Sequence, residues 1–208
     1  MFSGGIADKT GNRFEARWLT RELIGLIDGR ALSITIETIG DDDEGFEFVV
    51  ERETLSEWHQ CKRQTSANTW TIAALGSAGV IGNFGTKLAH SPAQRCVFVS
   101  TDTVKQIKLL QEKRRATPIL QEFEKALSKT EVPFWQDLQA QLAASGESAA
   151  DWLDRCDFHS VSEDILEETV ASELAYWFRG DPDLIVGAIR AWIERTRFST
   201  ARSTERHF

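Results

Sequence analysis

Hydrophobic and polar residues in the first half of the chain follow two different periods. Over residues 8–28 the apolar side chains recur at helical spacing, and Gly29 follows as a stop. Shorter stretches rich in β-branched and aromatic residues are typical of strands. These strands are predicted over residues 32–37, 46–50, 57–63 and 95–100. A helix followed by a glycine-containing loop is predicted over residues 70–84, and a basic amphipathic helix over 103–115.

After Pro118 the pattern changes, and no further strand is predicted. Helices are expected over residues 119–128, 134–143, 149–155, 162–178 and 181–197. The last of these has Asp181 as its N-cap and Pro182 at its first position. The chain is therefore predicted to be an α/β protein with a mixed central sheet flanked by helices over residues 1–115. An all-helical C-terminal region over residues 116–208 is expected to pack on this core.

Composition excludes several broad classes of protein. Among 208 residues there are 12 Phe, 7 Trp and 1 Tyr, too many for a disordered chain. The three cysteines lie far apart and form no CxxC pair. The chain shows no secretory signal and no continuous apolar stretch long enough to span a membrane. We therefore expect a cytoplasmic protein that does not enter a membrane.

The net charge of −8 conceals an uneven distribution of charged residues. Residues 37–57 carry nine acids and one base, whereas residues 105–115 carry five bases and one acid. A basic helix is usually a solvated surface, but Lys105 and Lys108 are also candidates for contact with a DNA backbone. Charge alone neither requires nor excludes a nucleic-acid partner.

The third predicted strand carries the polar residues that are hardest to explain as core. Gln60 and Lys62 are two residues apart, so both side chains should leave the same face of the strand. In the preceding strand Glu47 lies between Phe46 and Phe48, and it should project from the face opposite to both rings. If the two strands pair, Glu47, Gln60 and Lys62 converge on one face of the sheet.

This combination of side chains suits a divalent metal ion. Carboxylate and amide oxygens are hard ligands of the kind that Mg²⁺ prefers, and Glu15 in the first helix could add a second carboxylate. Lys62 could hold a water molecule or stabilise the charge that grows on a phosphate during in-line attack. The alternative is a solvated sheet face with one Glu–Lys ion pair, because such spacings are common in ordinary strands. His59 is expected to face away from Gln60.

The order of a helix with Glu15, an acidic strand with Glu47 and the run Gln60-Cys61-Lys62 resembles the PD-(D/E)XK restriction-endonuclease-like superfamily, in the variant where QxK replaces (D/E)xK. The runs GNRFE at 11–15, GFEFVV at 45–50, EWHQCKRQ at 57–64 and WTI at 70–72 are similar to a narrower group. This group is the Cap-type nuclease domain at the N-terminus of bacterial antiviral STAND NTPases, the Avs group. The resemblance extends over most of the chain.

The resemblance implies a Mg²⁺-dependent endonuclease that cuts double-stranded DNA with little sequence specificity, and Mn²⁺ should substitute for Mg²⁺. Glu47 matches the acidic metal ligand, Gln60 the amide-type ligand, Lys62 the catalytic lysine and Glu15 the helix-borne acid. Residue types alone do not separate a deoxyribonuclease from a ribonuclease on the same scaffold.

The sequence departs from the superfamily pattern in two respects that bear on this assignment. The proline that usually precedes the acid is absent, and Asp43 or Glu44 could supply the carboxylate instead of Glu47. Glu47 is preferred because an unpaired charge inside a buried strand is costly. Arg63 and Gln64 could contact phosphates at the mouth of the site, or they could be ordinary solvated residues.

In the antiviral proteins the nuclease is an effector, activated when a sensor recognises a phage protein and the NTPase oligomerises. This chain has no GxxxxGK[ST] motif, since the nearest string, at residues 82–87, lacks the Gly-Lys pair. We therefore expect an effector domain excised from a longer protein, or one that ends just before the NTPase, and active as a homo-oligomer. The rival is a catalytically silent module for assembly or DNA tethering, because the amide of Gln60 is a poorer Mg²⁺ ligand than a carboxylate.

Overall fold

The computed structural model describes residues 4–36, 45–63 and 69–178, with a few further positions up to residue 191. Helices and strands alternate in the first part of the chain, and helices predominate in the second. In chain order the elements are α1 (Gly4–Ile27), β1 (Ser33–Ile36), β2 (Phe48–Glu51), β3 (Ser56–Cys61), α2 (Ile72–Ser77), α3 (Val80–His90), β4 (Gln94–Ser100), α4 (Lys105–Ala116), α5 (Leu120–Ala126), α6 (Val132–Leu142), α7 (Ala149–Arg155), β5 (Cys156–Ser160) and α8 (Glu163–Trp177).

The five strands form one mixed sheet in the order β1-β2-β3-β4-β5. β1 to β3 are antiparallel neighbours, whereas β4 lies parallel to β3 and β5 parallel to β4. Each parallel connection is made through helices, as parallel strands require. The three parallel strands end side by side, at Cys61, Ser100 and Ser160. We call this side of the sheet the carboxyl edge.

Alternating side chains of the strands build a separate hydrophobic core on each face of the sheet. On the first face Cys96 and Phe98 of β4 pack with helices α2 to α7. On the second face Val97 and Val99 of the same strand pack with α1 and α8. The central strand β4 is therefore buried on both sides, which explains its continuous run of apolar residues.

The fold class predicted from the sequence is confirmed: the molecule is α/β, with a mixed sheet flanked by helices and a helical C-terminal part. The expectation that no strand follows Pro118 is wrong, because residues 156–160 form β5 and pair with β4. Only Cys156 and Phe158 of this strand are buried, so its sequence shows little of the apolar alternation typical of a strand. The strand also follows helix α7 directly, with no turn between them to mark where it begins. The division at residue 115 stays a prediction, although β5 joins residues beyond it to the sheet.

The predicted loop near residue 84 is also wrong, because residues 80–90 form helix α3. Gly79 precedes this helix in a left-handed conformation, and it separates α3 from α2. The predicted final helix, with Asp181 and Pro182 at its start, falls mostly outside the described residues. Within the described ranges, no helix combines the length and the apolar character needed to cross a membrane.

Candidate active site

The main chain at Glu47 departs from the regular ladder between β2 and β3. The ladder places Phe48 opposite His59, yet the main-chain N–H of Glu47 also donates to the carbonyl of His59, at 3.0 Å. Two consecutive residues of one strand therefore face a single residue of the other, as in a β-bulge. Irregularities of this kind re-aim the side chains next to them, and here the side chain affected is the predicted metal ligand.

The irregular register places the two aromatic neighbours of Glu47 on different faces of the sheet. Phe46 packs in the core of the first face, with its ring centroid 5.5 Å from that of Phe84. Phe48 packs in the core of the second face and stacks on His59 at 4.5 Å. The expectation that Glu47 projects away from both rings is therefore wrong, because the bulge breaks the simple alternation on which it depended.

The carboxylate of Glu47 is held beside the end of β3. One of its oxygens accepts a hydrogen bond from the main-chain N–H of Cys61, at 2.9 Å. Burial raises the pKa of Glu47, and the negative charge of Glu15 on α1 raises it further, to about 8. The Cys61 N–H and the positive charge of Lys62 oppose this rise. The structure thus brings Glu15 and Lys62 within electrostatic range of Glu47.

Gln60 is buried beside the turn that leads to Glu47. Its side chain is only 1% exposed, and its Nε2 donates to the carbonyl of Gly45, two residues before Glu47. Its Oε1 is also buried, and it accepts no hydrogen bond from the described residues. A buried amide oxygen without a donor is costly, so this atom is available to a cation.

Asn83 on α3 is a neighbour of this site that the sequence reasoning did not single out as functional. A Cβ added at Gly45 would lie 2.3 Å from Asn83 Nδ2 and 3.2 Å from Gln60 Nε2. Gly45 also has a positive φ of 91°, so glycine is needed there for both reasons. The available signal was the Gly-Asn pair at residues 82–83, but nothing in the sequence indicated that α3 reaches the β2–β3 turn.

The donor set fits a hard divalent cation. Two carboxylates, Glu15 and Glu47, approach each other closely enough to raise the pKa of one. The amide of Gln60, whose oxygen lacks a donor, lies beside Gly45, on the face opposite to His59. A divalent cation would relieve the repulsion between the carboxylates and would favour the ionised form of Glu47. The residues present therefore fit Mg²⁺ or Mn²⁺.

The predicted DNA contacts near β3 are placed differently. Arg63 forms an ion pair with Glu163 at the start of α8, at 2.5 Å. Glu163 also pairs with the buried Arg17 of α1, at 3.2 Å, so Arg63 takes part in a network that ties α8 to α1. Gln64 lies outside the described residues, as do Asp43 and Glu44.

Lys105 and Lys108 lie on the first turns of α4, and both are exposed. They line a cavity of about 320 Å³ together with Ser160, the last residue of β5. The basic helix is therefore next to the carboxyl edge of the sheet. This placement is compatible with the predicted contact with a DNA backbone.

A second group of candidate metal ligands, Glu22, Glu57 and His59, lies on the second face of the sheet. Arg52 forms ion pairs with two members of this group, Glu22 at 3.0 Å and Glu57 at 2.6 Å. Burial alone would raise the pKa of Glu57, but the nearby His59 and the hydrogen bond and charge of Arg52 lower it to about 2. The arrangement is an ion-pair network whose negative charges are already compensated.

The ring of His59 is also unsuited to metal binding. The indole N–H of Trp18 donates to its Nδ1, at 3.1 Å, so the proton of the neutral ring is on Nε2. That nitrogen faces Glu57 at 3.7 Å. His59 therefore has no lone pair directed at the carboxylates. As predicted, it lies on the face opposite to Gln60.

Comparison with known proteins gives one structural neighbour. No protein-family model matches the chain, and no curated protein matches it. The fold is similar to a solved structure described as the Moraxella osloensis Cap4 SAVED/CARF-domain containing receptor, with a TM-score of 0.54 and 15% sequence identity. The match covers 91% of this chain and 44% of the receptor chain. This chain therefore corresponds to less than half of that protein, and the likeness concerns the fold alone.

Proposed function

We propose that this chain is a metal-dependent DNA endonuclease domain with a restriction-endonuclease-like core. The observation that carries the proposal is the partly buried carboxylate of Glu47, which has a pKa raised to about 8 and interacts electrostatically with Glu15 and Lys62. Carboxyl groups with strongly shifted pKa values are concentrated at functional sites. Gln60, whose buried oxygen lacks a donor, is held beside the turn that precedes Glu47.

Glu15, Glu47 and the Oε1 of Gln60 would hold the ion. A bound Mg²⁺ would supply Lewis-acid polarisation of the phosphate and neutralise charge as it develops. Lys62 would donate a hydrogen bond from Nζ and thereby orient the attacking water and stabilise the growing negative charge. The water oxygen would form a bond to phosphorus while the bond between phosphorus and the leaving sugar oxygen breaks. The attacking water would release its proton to solvent, and the leaving oxygen would take up a proton from solvent.

The proposed setting is bacterial defence against phage, with this domain as an effector. The resemblance of the sequence to effector nucleases supports this setting, and so does the fold likeness to a Cap4 receptor. We further propose that cleavage requires a dimer or a larger assembly. The chain has a net charge of −8, so one copy should bind DNA weakly, and several copies would add their contacts to DNA.

The first test is cleavage of linear and circular double-stranded DNA, and of RNA, by wild type and Lys62→Ala in Mg²⁺ and in EDTA. Lys125→Ala is the matched control, because Lys125 is an exposed lysine on α5. We expect metal-dependent cleavage of DNA that is lost in Lys62→Ala and retained in Lys125→Ala. The positioned lysine should be worth at least about a hundredfold in rate.

Thermal unfolding separates a silent domain from an active one. A wild type that cuts neither nucleic acid, and whose melting temperature does not rise with Mg²⁺ or Mn²⁺, contradicts the proposal and favours the assembly module. Cleavage confined to RNA would correct the substrate. If a dilute monomer cuts as fast per chain as a protein joined through a fused coiled coil, the requirement for assembly is wrong.

A further inference from the structure

Two cavities meet at the end of the edge strand β5, on the side of the sheet away from β1. The first, of about 320 Å³, is lined by residues that include Lys105, Lys108 and Ser160. The second, of about 290 Å³, is lined by residues that include Trp18, Arg21, Lys108 and Ser160. Lys108 and Ser160 line both, so the two cavities adjoin at the end of β5. We call the two together the β5 groove.

The polar groups of the β5 groove are suited to an anion. It contains the cationic side chains of Arg21, Lys105 and Lys108. Arg21 pairs with Glu22 at 3.2 Å, whereas neither lysine forms an ion pair with another described residue. The hydroxyl of Ser160 is buried and makes no hydrogen bond within the described part of the chain. A buried hydroxyl without a partner is costly, and a ligand oxygen would satisfy it. Glu112, in the first cavity, is the acid among these lining residues.

The walls of the groove are suited to the apolar parts of a nucleotide. Leu109, which is 45% exposed, lines the first cavity, and Trp18 and Leu166 line the second. Arg21 covers the Trp18 ring, with its guanidinium carbon 4.8 Å from the ring centroid. Trp18 and Leu166 are only 4% and 1% exposed, so Leu109 supplies the apolar surface that a bound nucleotide can reach. An inorganic anion alone would leave this surface unused.

The β5 groove lies close to the candidate active site. Lys62 follows the end of β3, and its main-chain N–H bonds to Val99 of β4, next to the end of that strand. Ser160 lies two strands away on the same carboxyl edge, a separation of about 10 Å at the usual strand spacing. Helix α1 connects the two places as well, because Trp18 is one turn, about 4.5 Å, beyond Glu15.

We infer that the β5 groove binds the phosphodiester backbone of a polynucleotide strand, next to the phosphate at the candidate active site. The inference rests on the proposed function only for the identity of the bound strand as substrate. The separation of about 10 Å corresponds to roughly three nucleotides along one strand of a DNA duplex. Lys108 and Ser160 hold a phosphate, and Leu109 contacts the adjoining sugar.

Binding is measured without cleavage, by fluorescence anisotropy of a short labelled DNA oligonucleotide in EDTA with the full chain. Lys108→Ala is expected to weaken binding about fivefold, the factor for the loss of one exposed ion pair. On a duplex it should also reduce the slope of log affinity against log salt by about 0.9. Ser160→Ala is expected to weaken binding without changing this slope, since it removes no charge. Lys125→Ala is the control for overall charge and should change neither quantity.

The competitor distinguishes a polynucleotide from a simple anion. Affinity that rises from a mononucleotide to an oligonucleotide, and that depends on Lys108, supports the inference. Displacement of the oligonucleotide by inorganic phosphate with no preference for length would overturn it and leave a simple anion site. Equal binding by Lys108→Ala and Lys125→Ala, with unchanged melting temperatures, would also overturn it.

The two proposals fail separately. If the wild type binds DNA through Lys108 but never cuts it, the β5 groove stands and the nuclease proposal is wrong. If it cuts DNA in a Lys62-dependent manner but Lys108→Ala binds normally, the nuclease proposal stands and the groove does not.

Discussion

Replacement of Glu47 by glutamine should change how the stability of the protein depends on pH. The folded state holds the Glu47 proton until about pH 8, because burial and the nearby Glu15 carboxylate disfavour the ionised form, whereas the unfolded chain loses it near 4.5. Between these values the unfolded state has released its proton and the folded state has not. Raising the pH over this window therefore favours unfolding.

The expected magnitude follows from the two pKa values. Their difference corresponds to about 5 kcal/mol of unfolding free energy, which is present below pH 4.5 and lost by about pH 8. Glu47→Gln keeps the size of the side chain and removes the ionisation. The stability of the variant relative to wild type should therefore increase steadily across this window and level off above it.

The assay is urea unfolding in EDTA at a series of pH values, for wild type, Glu47→Gln and the control Glu122→Gln, which alters an exposed acid on α5. The difference between each variant and wild type cancels the titration of groups that do not interact with the substituted residue. Mg²⁺ should stabilise the wild type increasingly as the pH rises, and it should have little effect on Glu47→Gln. Parallel curves for wild type and Glu47→Gln across the window would refute this account of the site.

Two further predictions concern the surroundings of the site. Gly45→Ala should lower the unfolding free energy by about 1 to 3 kcal/mol because of the positive φ, and by more because of the clash with Asn83. Gly29→Ala should show only the loss due to φ, because a Cβ there meets nothing within 4 Å. Urea unfolding measures both. Glu57 has a pKa lowered to about 2 by His59 and Arg52, so its stabilising effect is present above pH 4.5 and is lost as the pH falls to about 2. Acid unfolding of Glu57→Gln should therefore show a flatter pH dependence over that range, and an unchanged dependence would contradict the assignment.

Local patterns were sufficient to predict most of the secondary structure. The strand of residues 94–100 has a buried face on both sides, so its apolar run is visible in the sequence alone. Helix α7 was predicted with its observed bounds, and it has Ser148 as an N-cap that accepts from Asp151 N. Strand β5 was missed because an edge strand with two buried residues depends on pairing with β4.

For the candidate site, too, some features can be predicted from the sequence and others depend on the tertiary structure. The sequence by itself determined which residue types are available, an acid at Glu47 and a lysine two residues after Gln60. Only the tertiary structure decided that the main chain at Glu47 bulges, that Phe46 and Phe48 separate, and that Glu15 comes near enough to raise the pKa of Glu47. Register and burial arise from contacts between distant segments, and a pKa depends on both, so neither can be predicted from spacing along the chain.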